Sequence, residues 1–178
     1  MAGSVNKFGL IALVLLIAVG VTLFFLQKEV PKLYINEFMA SNSACCPDIF
    51  DKESESDDWI EIYNAGSVPE DIGGMYFSQN EEKPLEFLVP KTNPELTTIP
   101  PGGFLLLLAN ANPGKGVLHL DFKLDPDGEF IGLYDKNGRT IDSYEFKAQK
   151  VNTSFGRASD GNTTWKEFEV PTPGKSNN

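Results

Sequence analysis

Six carboxylates fall within eleven residues of this chain: Asp48, Asp51, Glu53, Glu55, Asp57 and Asp58. Carboxylate oxygens at that density suit Ca²⁺, a hard cation that takes about six to eight oxygen ligands. A bound cation would also offset their mutual repulsion. The spacing is not that of an EF-hand, and no turning glycine interrupts it, so a solvated acidic loop is the plainer alternative. Just upstream stand Cys45 and Cys46, the only two cysteines. Adjacent cysteines can sit unpaired in a loop, close a vicinal disulfide in an oxidising compartment, or serve a redox or soft-metal role. Two ligands do not complete a zinc site, and the single histidine, His119, is remote in sequence.

Nucleophilic catalysis needs a base beside the nucleophile and a third group to orient it. His119 lies between Leu118 and Leu120, in what reads as a strand, and is better taken as structural. Glu61, Asp71 and Glu129 could supply a carboxylate pair for glycoside hydrolysis, but nothing in their spacing selects two of them. No glycine-rich loop leads from a strand into a helix, so nucleotide binding has no basis. The reading is therefore that the protein is not an enzyme and needs no cofactor, Ca²⁺ excepted. Trp59, Tyr63 and Tyr76, with Trp165, could present an aromatic platform to a sugar or a peptide; aromatics in a small β-domain more often cover its sheets. Asn152-Thr-Ser154 and Asn162-Thr-Thr164 have the pattern of glycosylation acceptors.

These residues have to be positioned by short strands. Trp59-Ile-Glu-Ile-Tyr63 alternates, with Ile60 and Ile62 on one face. Phe104–Leu108 is apolar on both faces, as in a strand covered from both sides. Further strands are read at Leu33–Met39, within Asp71–Ser78 after Gly73-Gly74, and at Leu85–Val89, Val117–Leu124, Glu129–Tyr134, Thr140–Phe146, Thr153–Arg157 and Thr164–Phe168. Along Val117–Leu124, Leu118, Leu120 and Phe122 are expected inward. Asp135-Lys-Asn-Gly138 should turn a hairpin spanning residues 129–146, Asn-Gly being a strong hairpin signal. No helical periodicity, heptad or long repeat appears after residue 26, so the sequence describes a sandwich or barrel.

The N-terminus is of another kind. Phe8–Leu26 is a run of 19 residues without a charge. As a helix it would reach about 28 Å, close to the hydrocarbon thickness of a bilayer, and it has no polar face. We read residues 1–7 as a cytoplasmic stub, 8–26 as a transmembrane signal anchor, 27–32 as a tether ending helix continuation at Pro31, and 33–178 as the folded domain. A cleavable leader, cut near Ala18-Val-Gly20, is the alternative. Charge narrows the partners. Residues 33–178 hold 12 of the 15 basic and 24 of the 25 acidic residues, a formal −12. Such a surface repels phosphate backbones, so nucleic acid is not an expected partner.

Taken in order, Ile35-Asn-Glu-Phe38, Asp58-Trp-Ile-Glu-Ile-Tyr-Asn64, Pro100-Pro-Gly-Gly-Phe-Leu-Leu-Leu-Leu-Ala109, Gly128-Glu-Phe-Ile-Gly-Leu-Tyr-Asp-Lys-Asn-Gly138 and Ser154-Phe-Gly-Arg157 through Pro171-Thr-Pro-Gly174 resemble the lamin tail domain family. The resemblance spans about residues 33–177 and implies an all-β, immunoglobulin-like β-sandwich, here preceded by one transmembrane helix. Members also occur in bacterial envelope proteins, which implies display outside the cytoplasmic membrane. Arg157 matches a motif position and is expected to buttress the last strands through a carboxylate. The coiled-coil rod of the nuclear lamins has no counterpart here, so filament assembly is not implied. The expected role is a membrane-anchored, non-catalytic adhesion or docking module, meeting a protein or cell-envelope component through loops 41–57 and 79–103. The alternative is a calcium-dependent or carbohydrate-binding module, secreted after leader cleavage.

Overall fold

The computed structural model of the chain describes residues 32–46 and 56–178. The apolar run 8–26 and the carboxylates Asp48, Asp51, Glu53 and Glu55 lie outside the described residues. No helix among the described residues is long and apolar enough to cross a membrane.

Twelve strands are described: β1 (Leu33–Met39), β2 (Asp58–Asn64), β3 (Glu70–Asp71), β4 (Tyr76–Ser78), β5 (Phe87–Leu88), β6 (Thr98–Ile99), β7 (Phe104–Ala109), β8 (His119–Leu120), β9 (Phe130–Tyr134), β10 (Thr140–Glu145), β11 (Ser154–Arg157) and β12 (Trp165–Phe168). One sheet runs β12-β11-β1-β2-β7-β8, a second runs β10-β9-β4-β5, and β3 pairs with β6. Pairing is antiparallel except between β7 and β8. Helix among the described residues is confined to one turn, α1 (Pro94–Thr97), and a 3₁₀ turn at Pro113–Lys115. The architecture is an all-β sandwich, as the family resemblance implied and as one of the two arrangements the strand spacing allowed.

Alternation places the core. Ile60 and Ile62 of β2, Leu107 of β7 and Phe77 of β4 are fully buried, joined by Ile131 and Leu133 of β9. β1 needs an irregularity to join them. Its register shifts between Ile35 and Glu37, so Ile35 and Phe38 are both core residues although three positions apart. The extra residue turns Asn36 and Glu37 together onto the opposite face, as a β-bulge does.

Two expected segments gain detail. The strand expected after Gly73-Gly74 is β4, with Gly74 turning the chain at φ 85°, and the short β3 before the glycines is an addition to it. Val117–Leu124 pairs in parallel with β7 at His119–Leu120 and then only through an isolated antiparallel bridge between Lys123 and Asn110, yet Leu120, Phe122 and Leu124 are buried and Leu118 packs against the core. Its side chains alternate as expected while its backbone leaves the sheet.

The hairpin of β9 and β10 forms around Asp135-Lys-Asn-Gly138. Gly138 has φ 78° and donates its N–H to the Asp135 carbonyl at 2.9 Å. The Asp135 carboxylate accepts from the Asn137 and Arg139 amides and from Arg139 Nε, at 2.8, 3.0 and 2.6 Å. All its donors are local, which is the chemistry of a turn rather than of an ion site.

Candidate binding surfaces

The outer face of the six-stranded sheet carries most of the polar chemistry. Register sets Glu37 of β1 directly opposite Glu61 of β2, and both are fully buried. Like charges facing each other across strands destabilise a sheet. Two devices relieve this pair. Burial first, then the neighbouring Glu37 and Asp160 carboxylates, push the Glu61 carboxyl up to about 8, outweighing the amide donors that favour its charged form. The chain's last residues then lie across the pair. Thr172 donates its N–H and its hydroxyl to the two Glu37 oxygens at 3.0 and 2.5 Å, and Ser154 Oγ donates to Oε1. Gly174 N–H donates to Glu61 Oε2 at 2.6 Å, while Asn36 Nδ2 donates to Oε1 at 2.9 Å. Asp160 accepts from Asn36 Nδ2, from the Asn177 amide and from Ser176 Oγ.

Two glycines make this strap fit. Gly174 reaches Glu61 at φ 73°, in the left-handed region. A Cβ on Gly156 would lie 2.9 Å from the Asn36 carbonyl oxygen and 3.0 Å from Asn177 Nδ2. Without it, Asn177 Nδ2 bridges the Asn36 and Arg157 carbonyls at 3.1 and 2.9 Å.

Arg157, 5% exposed, ties the two sheets at one corner. Its guanidinium pairs with Asp142 of β10 at 2.6 Å and donates through Nε to the Ile35 carbonyl at 2.8 Å. Asp142 supplies the carboxylate that the family motif implied without locating it. The same guanidinium lies 4.9 Å above the Tyr34 ring and 4.8 Å above Trp165, within cation–π range. Trp165 stacks on Tyr144 at 3.9 Å and packs near Phe155 and Phe38. Burial pushes the Asp142 carboxyl up despite the ion pair. Beside this corner a groove of about 280 Å³ runs between the end of β10 and the start of β11, lined by Tyr144, Phe146 and Phe155. Its rim carries the Lys150–Glu167 ion pair.

Trp59 does not join a binding platform. It is fully buried on the outer face of its sheet, packed with Met39 and Cys45 and flanked by Cys46, Leu106 and Leu108. Alternation put Trp59 on the face opposite the core correctly; the Ser41–Cys46 segment then covers that face. Tyr63, on the same strand, is half-buried against Phe104 at 5.1 Å. Tyr76 belongs to β4 in the other sheet, next to the core residue Phe77 and so on that sheet's opposite face. Two residues on one layer and one on the other cannot form a single platform. Phe104–Leu108 is covered on both sides as expected, Leu107 by the core and Leu106 and Leu108 by this second cluster.

Of the acidic loop, Asp57 and Asp58 are described. Asp58 Oδ1 accepts the Asn42 amide at 3.0 Å, and Asp57 Oδ2 accepts from Asn110 Nδ2 at 2.7 Å. Asn42 in turn bonds the Asp57 carbonyl and receives the Cys45 amide. Burial pushes Asp58 up to about 6. Among the described residues no group of three or more His, Cys, Asp or Glu is placed to hold a metal ion. His119 sits on β8 with Nδ1 3.0 Å from Asn110 Nδ2.

Cys45 and Cys46 form a vicinal disulfide. Cys45 is buried over Trp59, and Cys46 is half-buried with φ 64°. They line a second groove, of about 380 Å³, whose other wall is the strap from Val170 to Lys175. The nearby Asn152 side chain is occupied, accepting from Ser43 and Ala44 and donating to Ser43 Oγ. It holds a loop rather than standing free.

The described residues form a β-sandwich with grooves at its surface and a buried carboxylate pair on one outer face. The family model of the lamin tail domain matches residues 27–148, and the chain belongs to that family. Neither the curated proteins nor the solved structures returned a match.

Proposed function

We propose that the protein is a non-catalytic docking module held at a membrane by residues 8–26, with its sandwich on the extracytoplasmic side. The observation that carries the anchor is the 19-residue charge-free run directly before the domain, of a length that spans a bilayer. Docking is supported by where apolar surface remains. Of the exposed large apolar side chains among the described residues, Leu85, Leu88 and Leu96, at 50, 54 and 48%, share the 79–103 stretch between β4 and β7, whereas Val68, Val151 and Val170 lie singly elsewhere. Exposed apolar side chains concentrated on one irregular segment mark a place where a protein partner can bury them. The partner is a protein or envelope component without a polyanionic backbone, because the domain carries −12.

Two measurements test this. The full chain should stay with the membrane pellet through alkaline carbonate extraction, and protease added outside intact cells or spheroplasts should reach the domain. A chain released by carbonate would sink the anchor. Tagged full-length protein should retain an envelope component that an L85D/L88D variant loses. Equal retention by both would sink docking through this stretch. The calcium-dependent alternative predicts retention abolished by chelator.

A further inference from the structure

The Cys45–Cys46 pair has features beyond those of a packing contact. Cys45 is 6% exposed, against Trp59 and Met39, while Cys46 is half-buried, and both line the 380 Å³ groove. That groove supplies a route for an incoming group, and it presents the two sulfurs asymmetrically. Among its described lining residues Lys175 alone is charged. A lysine on the groove wall favours thiolate over thiol. Cys46 also holds a positive φ that side chains other than glycine and asparagine seldom adopt.

We propose that Cys45–Cys46 is a thiol-exchange site, opened through this groove by a dithiol reductant attacking at Cys46. One thiolate of the reductant bonds to Cys46 Sγ as the Sγ–Sγ bond breaks, and Cys45 leaves as a thiolate. The reductant's second thiolate then attacks its own sulfur in the mixed disulfide, closing a cyclic disulfide and releasing Cys46. Two electrons pass from the dithiol to the pair, and the two protons lost by the reductant's thiols balance the two thiols formed. Attack falls on Cys46 because the Trp59 side shields Cys45. Lys175 stabilises the thiolate that forms. The site does not depend on the docking reading, since neither sulfur belongs to the 79–103 stretch.

The test uses the full chain in its folded state. Reduced dithiothreitol should convert the pair to two thiols without denaturant, read as two alkyl adducts by intact mass. Reduced glutathione, a monothiol, should leave a mixed disulfide that peptide mapping places on Cys46 over Cys45 by about tenfold or more, as access dictates. In single-thiol variants, C45S should react with oxidised glutathione about tenfold faster than C46S. K175Q, at an exposed strap position, should slow reduction of the intact Cys45–Cys46 pair by dithiothreitol several-fold. Reduction that requires denaturant, or glutathione found mainly on Cys45, would overturn the proposal. An unchanged rate in K175Q would overturn the role given to that lysine.

Discussion

The outer face of the six-stranded sheet and the 79–103 stretch beside the four-stranded sheet use their residues in opposite ways. On the first, Asn36 donates to Glu61 and Asp160, Ser154 donates to Glu37, and the strap of Thr172–Asn177 donates to Glu37, Glu61 and Asp160. Nearly every polar atom named there has an internal partner. On the second, leucines stand half exposed and the side chains bond mainly to near neighbours, such as Asn93 with Glu95 and Ser78 with Glu86. A dense polar network in this protein therefore marks where the fold is closed, and the surface left for recognition is chemically the plainer one. Stability and binding should separate along the same line.

The largest expected effect is at Arg157. Removing the guanidinium leaves Asp142 as a buried carboxyl without its cation and takes away the contacts to Ile35, Tyr34 and Trp165. An R157A variant should lose about 3–5 kcal/mol in urea denaturation, as when one partner of a buried pair is deleted. A loss under about 1 kcal/mol would show that the corner is wetter and looser than its geometry implies.

Gly156 comes next. The Cβ of G156A would press on the Asn36 carbonyl and on Asn177 Nδ2, so the strap has to shift. We expect a loss of about 1–3 kcal/mol, the range for overpacking. Hydrogen exchange should quicken at the Thr172, Gly174 and Asn177 amides. Unchanged protection at those amides would mean that the strap does not depend on close approach to β11.

The closed face should also respond to pH. Glu61 has its folded pKa near 8, above the 4.5 of an ordinary glutamate, so the folded chain holds a proton that the unfolded chain releases. Its contribution is fully present below pH 4.5, declines as pH rises, and is gone above about 8. Asp58, raised to about 6, adds a loss of the same sign between pH 4 and 6. The melting temperature should therefore fall between pH 5 and 8, and E61Q should flatten that fall. Gln keeps the acceptor for Gly174 while losing one partner at Asn36, so it should cost on the order of 1 kcal/mol at pH 5 and less at pH 8. A wild-type melt that rises toward pH 8 would mean that the donors around Glu61 hold it ionised.

How much of this could be read from the chain follows the range of the interactions. β1, β2, β7 and the β9–β10 hairpin were legible because alternation and the Asp-Lys-Asn-Gly turn are encoded within a few neighbours. Arg157 was legible as a buttress, but Asp142 as its partner was not, since only the fold brings β10 against β11. The strap was the hardest. Glu37 bonds Thr172, 135 positions on, and Glu61 bonds Gly174, 113 positions on. The one local sign was a pair of glutamates at outward positions of otherwise apolar strands, where an exposed charge and a buried clasp look alike. Trp59 misled for a related reason: alternation identifies which face a side chain is on, and does not say whether a distant loop covers that face.

The smallest expected effect on stability belongs to the 79–103 stretch, and it discriminates most. L85D and L88D replace half-exposed leucines that little of the core relies on, so each should change unfolding free energy by no more than about 0.5 kcal/mol. The same changes place a charge where a partner would bury apolar surface. If the two regions divide as described, these variants melt with the wild type and lose retention of the envelope component, whereas R157A and G156A melt early and keep retention at temperatures where they remain folded. Stability losses at Leu85 or Leu88 comparable to those at Gly156 would show that this stretch is also part of the closed structure, and the division would fail.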